Sequence, residues 1–323
     1  MFVVKQYIEE YKQEWDGFVK TAKNATFLFQ RDFMDYHSDR FEDFSLIIYK
    51  KDKLFALLPA NKNGTTVCSH QGLTYGSLLL QESAKLFDSA AAFKEILHFL
   101  FNKEIEKLDV RIIPSFYNSL PSDELEYIFY KASASLIKRD VIMVLDYQNQ
   151  LPFKKNRREG INKAKRNQLE IKVDGDFDAF WNEILIPNLA NKHQASPVHS
   201  LNEIKLLANR FPTNIVQVNV YKDKKIVAGT TVFLTKNVVH PQYVSGNLEK
   251  NTLGSLDLLY DFIINHFKED KKYFSFNTSS EENGKLLNEG LIFWKEGCGA
   301  RPIVFNNYSI KTEAYKYLEI KTT

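Results

Sequence analysis

Lys295 stands in a stretch, Asn288 to Arg301, that also carries Gly290, Trp294, Glu296, Gly297 and Gly299, a mixture too polar and too glycine-rich for core packing to explain. An ammonium on a segment bounded by glycines can approach a developing oxyanion, which makes Lys295 the first catalytic candidate. A surface lysine paired with Glu289 or Glu296 is the plain alternative. Other polar groups cluster before it in the chain. A strand end at Asn277 and the run of small polar residues after it, Thr278 to Gly284, offer Asn277, Ser279 and Asn283, and a second strand end and turn offer Tyr243, Ser245 and Asn247. We read these as substrate-binding candidates. No Ser-His-Asp or Cys-His arrangement with a nucleophile elbow is visible, and no Walker-type loop. Cys68 and Cys298 are the only cysteines and lack zinc-ligand spacing, so no metal is expected. The chemistry left open needs no nucleophile from the protein.

The elements that must position these groups follow from periodicity. Leu256, Leu259, Tyr260, Ile263 and Phe267 recur at helical spacing, and Tyr273 to Asn277 alternates like a strand. Earlier in the chain, Trp15 to Phe29 begins as a helix and ends in a strand-like run. Ser45 to Tyr49 and Leu54 to Pro59 form a hairpin around a charged turn. In SHQGLTYGSLLL, from Ser69 to Leu80, exposed-looking Gln71 and Tyr75 suggest approach to a ligand, and a tight strand connection is the plain account. A helical stripe over Phe93, Ile96, Leu97, Leu100 and Phe101 then leads to a strand over Leu108 to Ile113. The order strand, strand, strand, helix, strand recurs: YKKDKLFALLPA at Tyr49 pairs with YKDKKIVAGTTV at Tyr221, and the Phe93 helix with the Leu256 helix. Two α/β units of one design, with mixed sheets and a ligand cleft between them, are the economical reading. The join is expected near Asp146 to Asn156, giving domains 1–148 and 149–311.

Composition narrows the class. The chain has 323 residues, 44% of them hydrophobic, and a net charge of +3, which fits a globular protein and argues against a nucleic-acid coat or a DNA partner. The N-terminus has neither a signal-peptide core nor a membrane span, and a reducing cytoplasm is the expected location. Local charge is stronger: Lys154 to Lys172 holds eight basic residues against two acidic ones. Arg157, Arg158 and Lys163 on that cationic helix are candidates for a phosphate-rich substrate, a lipid-linked pyrophosphate or the acceptor arm of transfer RNA, and a solvated helical face is the alternative.

The segment LLNEGLIFWKEGCGAR resembles the "GL..FKE.FGA" signature of the FemAB-like branch of the GNAT acetyltransferase superfamily. The resemblance implies two tandem GNAT-like (acyl-CoA N-acyltransferase) domains, with residues 312–323 completing the first through a strand over Tyr315 to Ile320. It implies an acyltransferase or aminoacyltransferase acting on an amine of a cell-envelope precursor, small or lipid-linked, with acyl-CoA or aminoacyl-tRNA as donor. Trp294-Lys295 matches an aromatic-Lys pair that supports transfer in the bridge-forming enzymes. Arg158, Ile161, Lys163 and Ala164 match an "R..I+KA" pattern. A "KH...PVHS" pattern points to His193 and His199 as ligand-facing groups able to accept the amine's proton. The pyrophosphate turn of coenzyme A enzymes corresponds to Asn251 to Ser255, where only Gly254 and Ser255 remain of the pattern and also suit a helix start. The coiled-coil arm of some relatives has no counterpart. A noncatalytic ligand-binding protein, or an RNA-binding module using the basic helix, would fit the same residues.

Overall fold

Two hairpins with one local geometry mark the two halves of the chain. The structure, a computed structural model, describes residues 1–320, the side chains of Lys192 and His193 excepted. Lys51 and Asp52 turn the first hairpin with φ of 49° and 62°, and Asp223 and Lys224 turn the second with 48° and 64°. Two successive positive φ values make a type I′ turn, whose twist suits the flanking strands. Both hairpins then slip register at the same point, between Ile48 and Tyr49 and between Val220 and Tyr221.

The chain divides into two compact units, residues 1–140 with 304–323, and residues 141–303. Unit 1 holds β1 (Phe2–Gln6), α1 (Lys12–Thr21), α2 (Arg31–Met34), β2 (Glu42–Asp43), β3 (Leu46–Lys50), β4 (Lys53–Leu58), β5 (Asn61–Asn63) and β6 (Thr66–Cys68). It continues with β7 (Leu79–Leu80), α3 (Leu86–Asn102), β8 (Lys107–Arg111), α4 (Glu124–Lys131) and the start of β9 (Ser135–Asp146). One sheet runs β1-β3-β4-β7; β8, β6, β5 and β2 follow one another in a second. β7 and β8 therefore lie in different sheets, with an isolated parallel bridge, Gly76↔Ile112, between the residues before β7 and after β8. Phe93, Ile96, Leu97 and Leu100 of α3 are fully buried, each worth about 1.5–3 kcal/mol of transfer free energy.

Unit 2 holds α5 (Lys155–Arg166), β10 (Glu170–Lys172), a π-helical stretch (Ala179–Leu185), α6 (Ile186–His193), α7 (Leu201–Arg210), β11 (Ile215–Lys222), β12 (Lys225–Leu234) and β13 (Val238–Gly246). Then come α8 (Lys250–Leu253), α9 (Ser255–His266), β14 (Tyr273–Thr278), the short pair β15 (Ser280–Glu281) and β16 (Leu286–Leu287), α10 (Glu289–Gly297) and the start of β17 (Arg301–Lys311). Its strand order is β10-β11-β12-β13-β14, followed by residues 142–146 of β9. β10 to β13 are antiparallel, but β13 and β14 run parallel and pair only at Val238↔Tyr273 and Val239↔Phe274. Leu259, Ile263 and Ile264 of α9 pack against this sheet with Val218, Val220 and Phe274.

Some expectations are corrected. Phe27–Phe29 forms a 3₁₀ turn, not a strand, because Trp15 Nε1–H donates to the Phe29 carbonyl at 2.8 Å and all three residues are buried against helices. The expected last strand is a 3₁₀ turn over Thr312–Lys316, anchored where the Thr312 Oγ1 donates to the Ile105 carbonyl at 2.6 Å. Tyr75 is buried, not exposed, and its hydroxyl donates to Thr26 Oγ1 at 3.0 Å. The polar Asp146–Asn156 segment, expected at the join, follows β9 within unit 2.

Candidate functional site

Asn288 caps α10, its Oδ1 accepting the Leu291 N–H at 2.9 Å, and the helix then turns Lys295 inward on its last turn. Lys295 is 3% exposed. Its Nζ donates to the carbonyls of Asn277 and Thr278 at 3.0 and 2.8 Å and meets Ser279 Oγ at 2.9 Å. Those carbonyls are available because β14 bulges there: register shifts between Ser275 and Thr278, and Asn277 adopts φ 63°. The surface ion pair with Glu289 or Glu296 does not form; the lysine is an internal group. Burial draws its pKa from 10.5 down to about 7.

β13 supplies the other side of this parting. Pro241 has no N–H to give a ladder, and its carbonyl accepts Asn277 Nδ2 at 2.6 Å. Register on β12 slips between Thr231 and Val232, leaving Gln242 without an opposite residue. His240 is buried with Nε2 3.1 Å from Gln242 Oε1. Burial chiefly lowers its pKa to about 4; the Gln242 bond opposes this and the nearby Lys295 charge adds to it. His240 and Gln242 were not among the residues singled out from sequence. A proline inside the strand-like HPQYV was the available signal, since proline in a strand marks a bulge or an edge.

Further along β13, Tyr243 Oη accepts the backbone N–H of His199 at 3.2 Å and stands 2.6 Å from its Nδ1. Burial pushes the phenol up to about 12, so it keeps its proton. Nδ1 of His199 is thereby engaged by Tyr243 and not by a ligand amine. Trp181 packs edge-on against Tyr243 and donates through Nε1 to Thr231 Oγ1 at 3.1 Å. Ser245 Oγ accepts Asn188 Nδ2 at 2.8 Å, and Asn247 Oδ1 accepts the Glu249 N–H at 3.0 Å ahead of α8. Asn283 is exposed in a turn with φ 58°. The His193 side chain lies outside the described residues.

The basic helix is partly spent on packing. Arg157 Nη1 bonds Asp257 Oδ1 at 2.6 Å, and Asp257 also takes a hydrogen bond from Trp294. This internal pair removes Arg157 from the substrate-binding candidates, because releasing it would strand a largely buried carboxylate. Trp294 stacks edge-on with Tyr260 at 4.6 Å between centroids. Lys163 Nζ donates to the Asn251 carbonyl at 3.2 Å, while Arg158 is exposed with Lys155, Lys165 and Arg166. Gly254 takes φ +74°, and a Cβ on it would come within 2.2 Å of the Gly160 carbonyl. Gly254 thus serves the α5–α9 contact and Ser255 is fully buried beside it, so neither is placed to cradle a pyrophosphate. Gln71 and Tyr75 belong to unit 1; Gln71 exchanges bonds with Asn61 at 2.8 and 2.9 Å. The structure thus brings together Lys295, Asn277 and Ser279, with Pro241 and His240 of β13 next to them.

Among the described residues no group of three His, Cys, Asp or Glu could hold a metal ion, and no helix is long and apolar enough to cross a membrane. No family model matches the chain. No curated protein matches it either. Solved structures do. FemX superposes with a TM-score of 0.65 at 8% identity, over 96% of this chain and 98% of that one. A tandem GNAT protein from the clavulanic acid biosynthesis pathway gives 0.52 at 11%, over 97% and 99%. L-PGS from Bacillus licheniformis gives 0.56 at 14%, over 83% of both chains. At such identities the likeness is one of fold. The chain has a mixed α/β, GNAT-like fold and resembles FemX at low identity.

Proposed function

We propose that the chain transfers an acyl or aminoacyl group to an amine on a cell-envelope precursor, an amino sugar or a short peptide, with no covalent intermediate on the protein. The observation that carries this reading is the parting of β13 and β14 after two residue pairs, with the Lys295 Nζ held by carbonyls at its β14 side. A freed strand edge can bond an extended, amide-bearing donor as it would an added strand. The acceptor attacks as a neutral amine. Its nitrogen bonds the donor's acyl carbon, the carbonyl pair moves onto oxygen, and collapse expels the leaving group with its bonding pair. One proton leaves the attacking nitrogen. A lysine drawn to about 7 and bonded to Ser279 Oγ suits both tasks, taking that proton by way of the Ser279 hydroxyl when neutral and offsetting the oxyanion by its charge when protonated. We take the units as two GNAT-like domains in tandem, the second carrying the chemistry; the matched hairpins support this.

Of the two donor classes, aminoacyl-tRNA suits the chain better. Gly254 is committed to α5, and the exposed Lys155, Arg158, Lys165 and Arg166 offer a face for a phosphate backbone. Acyl-coenzyme A is the other class. A cytoplasmic site of action goes with either. The test is transfer to amine acceptors from charged transfer RNA or coenzyme A thioesters, after thermal-shift screening for the donor that stabilises the fold. Lys295→Ala is expected to abolish transfer, and undiminished transfer would end the assignment. Transfer-RNA binding should weaken steeply with salt; binding indifferent to salt would remove α5 from it.

A further inference from the structure

Unit 1 contains a cavity of about 340 Å³ that the chemistry above does not use. Side chains alternate along β8, so Leu108 and Val110 are buried in the core while Asp109 and Arg111 share the opposite face. Cys68 of β6 pairs beside Asp109, and Asn307 of β17 pairs with Arg111. The loop Ser69 to Gly76 frames the site. Arg111 N–H donates to Ser69 Oγ at 3.0 Å, and Gly76 N–H donates to the Arg111 carbonyl at 2.7 Å. A Cβ on Gly76 would lie 1.5 Å from the Ser69 carbonyl oxygen, so the loop closes this tightly only on glycine.

The wall is chemically two-signed. Asp109 Oδ1 and Asn307 Oδ1 are buried acceptors that meet no donor among the described residues. Leaving such an acceptor unbonded is costly, and a donor from a ligand would recover that cost. Arg111 makes one side-chain hydrogen bond among the described residues, Nη1 to the Thr74 carbonyl at 3.2 Å, and no carboxylate pairs with it there. His70 Nδ1 accepts the Gly72 N–H at 3.2 Å, so its neutral ring presents Nε2–H as a further donor. Cys68 lines the wall as a protonated thiol, pushed up to about 11 by burial.

We propose that this cavity binds an amino acid or short peptide through its free ammonium and free carboxylate, the ammonium at Asp109 and Asn307 and the carboxylate at Arg111. Guanidinium and carboxylate match each other in planar, charge-assisted pairs, and paired acceptors suit an ammonium's several N–H groups. The site belongs to unit 1 and Lys295 to unit 2, and its test does not pass through transfer.

The experiment is calorimetric titration of the full chain with alanyl-alanine, N-acetyl-alanyl-alanine and alanyl-alanine amide. Saturable binding of the free dipeptide is expected, with each blocked form at least about tenfold weaker. Arg111→Met should erase the preference over the amide, and Asp109→Asn the preference over the acetylated form. Arg111→Lys, which keeps the charge but not the fork, covers the case in which Arg111→Met does not fold. The titration reads binding in unit 1 and not transfer, so failure of the transfer assignment and failure of this one are separable. No saturation by the dipeptide at about 10 mM would overturn the proposal, since affinity weaker than that is under about 3 kcal/mol. So would blocked forms that bind equally well, or variants that leave the discrimination as it was.

Discussion

The Nζ of Lys295 and the Oγ of Ser279 lie 2.9 Å apart, both out of solvent. The pair can be satisfied in two ways. As an ammonium, Lys295 gives three N–H groups to Asn277 O, Thr278 O and Ser279 Oγ. As an amine, it keeps two for the carbonyls and takes the Ser279 proton on its lone pair. A serine hydroxyl can reverse its role by a rotation, which is why a lysine can sit here in either state.

Replacing Lys295 by methionine keeps the bulk but leaves two backbone carbonyls and a hydroxyl without a donor. Buried acceptors left unbonded are costly, so Lys295→Met should lower the stability of the chain by about 2–4 kcal/mol. Urea unfolding at neutral pH measures this. Ser279→Ala, which leaves the two carbonyls bonded, should cost about 1 kcal/mol. Equal stability of Lys295→Met and the parent chain would mean that the ammonium contributes nothing net.

The pH response has a definite sign on each side of neutrality. Folded, Lys295 titrates near 7, against 10.5 as its ordinary value. Between those values the unfolded chain binds a proton that the folded chain has lost, so this group makes stability rise with pH, by up to about 1.4 kcal/mol per unit. Below about 7 both states hold the proton and the term is flat. Burial likewise draws His240 to about 4 and His70 to about 3 from 6.5. There the unfolded chain again binds more protons, so stability falls as pH drops from 6.5 toward those values. Denaturant titrations of the parent chain and Lys295→Met from pH 4 to 10 should differ in slope above 7 and agree below 6.

Gly254→Ala meets two penalties at once, a positive φ and a Cβ within 2.2 Å of the Gly160 carbonyl. Since that oxygen belongs to helix backbone, α5 must shift from α9. A loss of more than about 2 kcal/mol is expected on thermal or urea unfolding. A neutral result would mean that the two helices are not in register through these glycines.

The hairpin turns run the other way. Lys51-Asp52 and Asp223-Lys224 hold four non-glycine residues at positive φ, where Asn-Gly is preferred. Changing either pair to Asn-Gly should raise stability by about 0.5–1 kcal/mol, read from the melting temperature. A drop would show that these side chains make bonds worth more than the strain.

Much of this was legible in the chain. The apolar spacing of α9 and the alternation of β14 appear where the residues imply. These features are local: each is set by residues within a turn or two of one another. Lys295 stood out for its glycine neighbours, but its burial did not, because the acceptors that hold it are made available by a bulge eighteen residues earlier. Arg157 looked like a phosphate ligand for the same reason in reverse, since its partner Asp257 is a hundred residues on. His240 and Gln242 were missed although Pro241 advertised a broken ladder. Tyr75 seemed exposed because its loop is polar; the packing of Phe29 and Tyr117 on its ring is long-range and left no trace nearby.

The matched hairpins give the molecule an internal standard. Tyr49 and Tyr221 sit at the same step before the same turn and the same slip, so an identical change made at each poses one local question in two surroundings. Where the two answers agree, the hairpin itself is speaking; where they part, the difference belongs to what each unit has built around it.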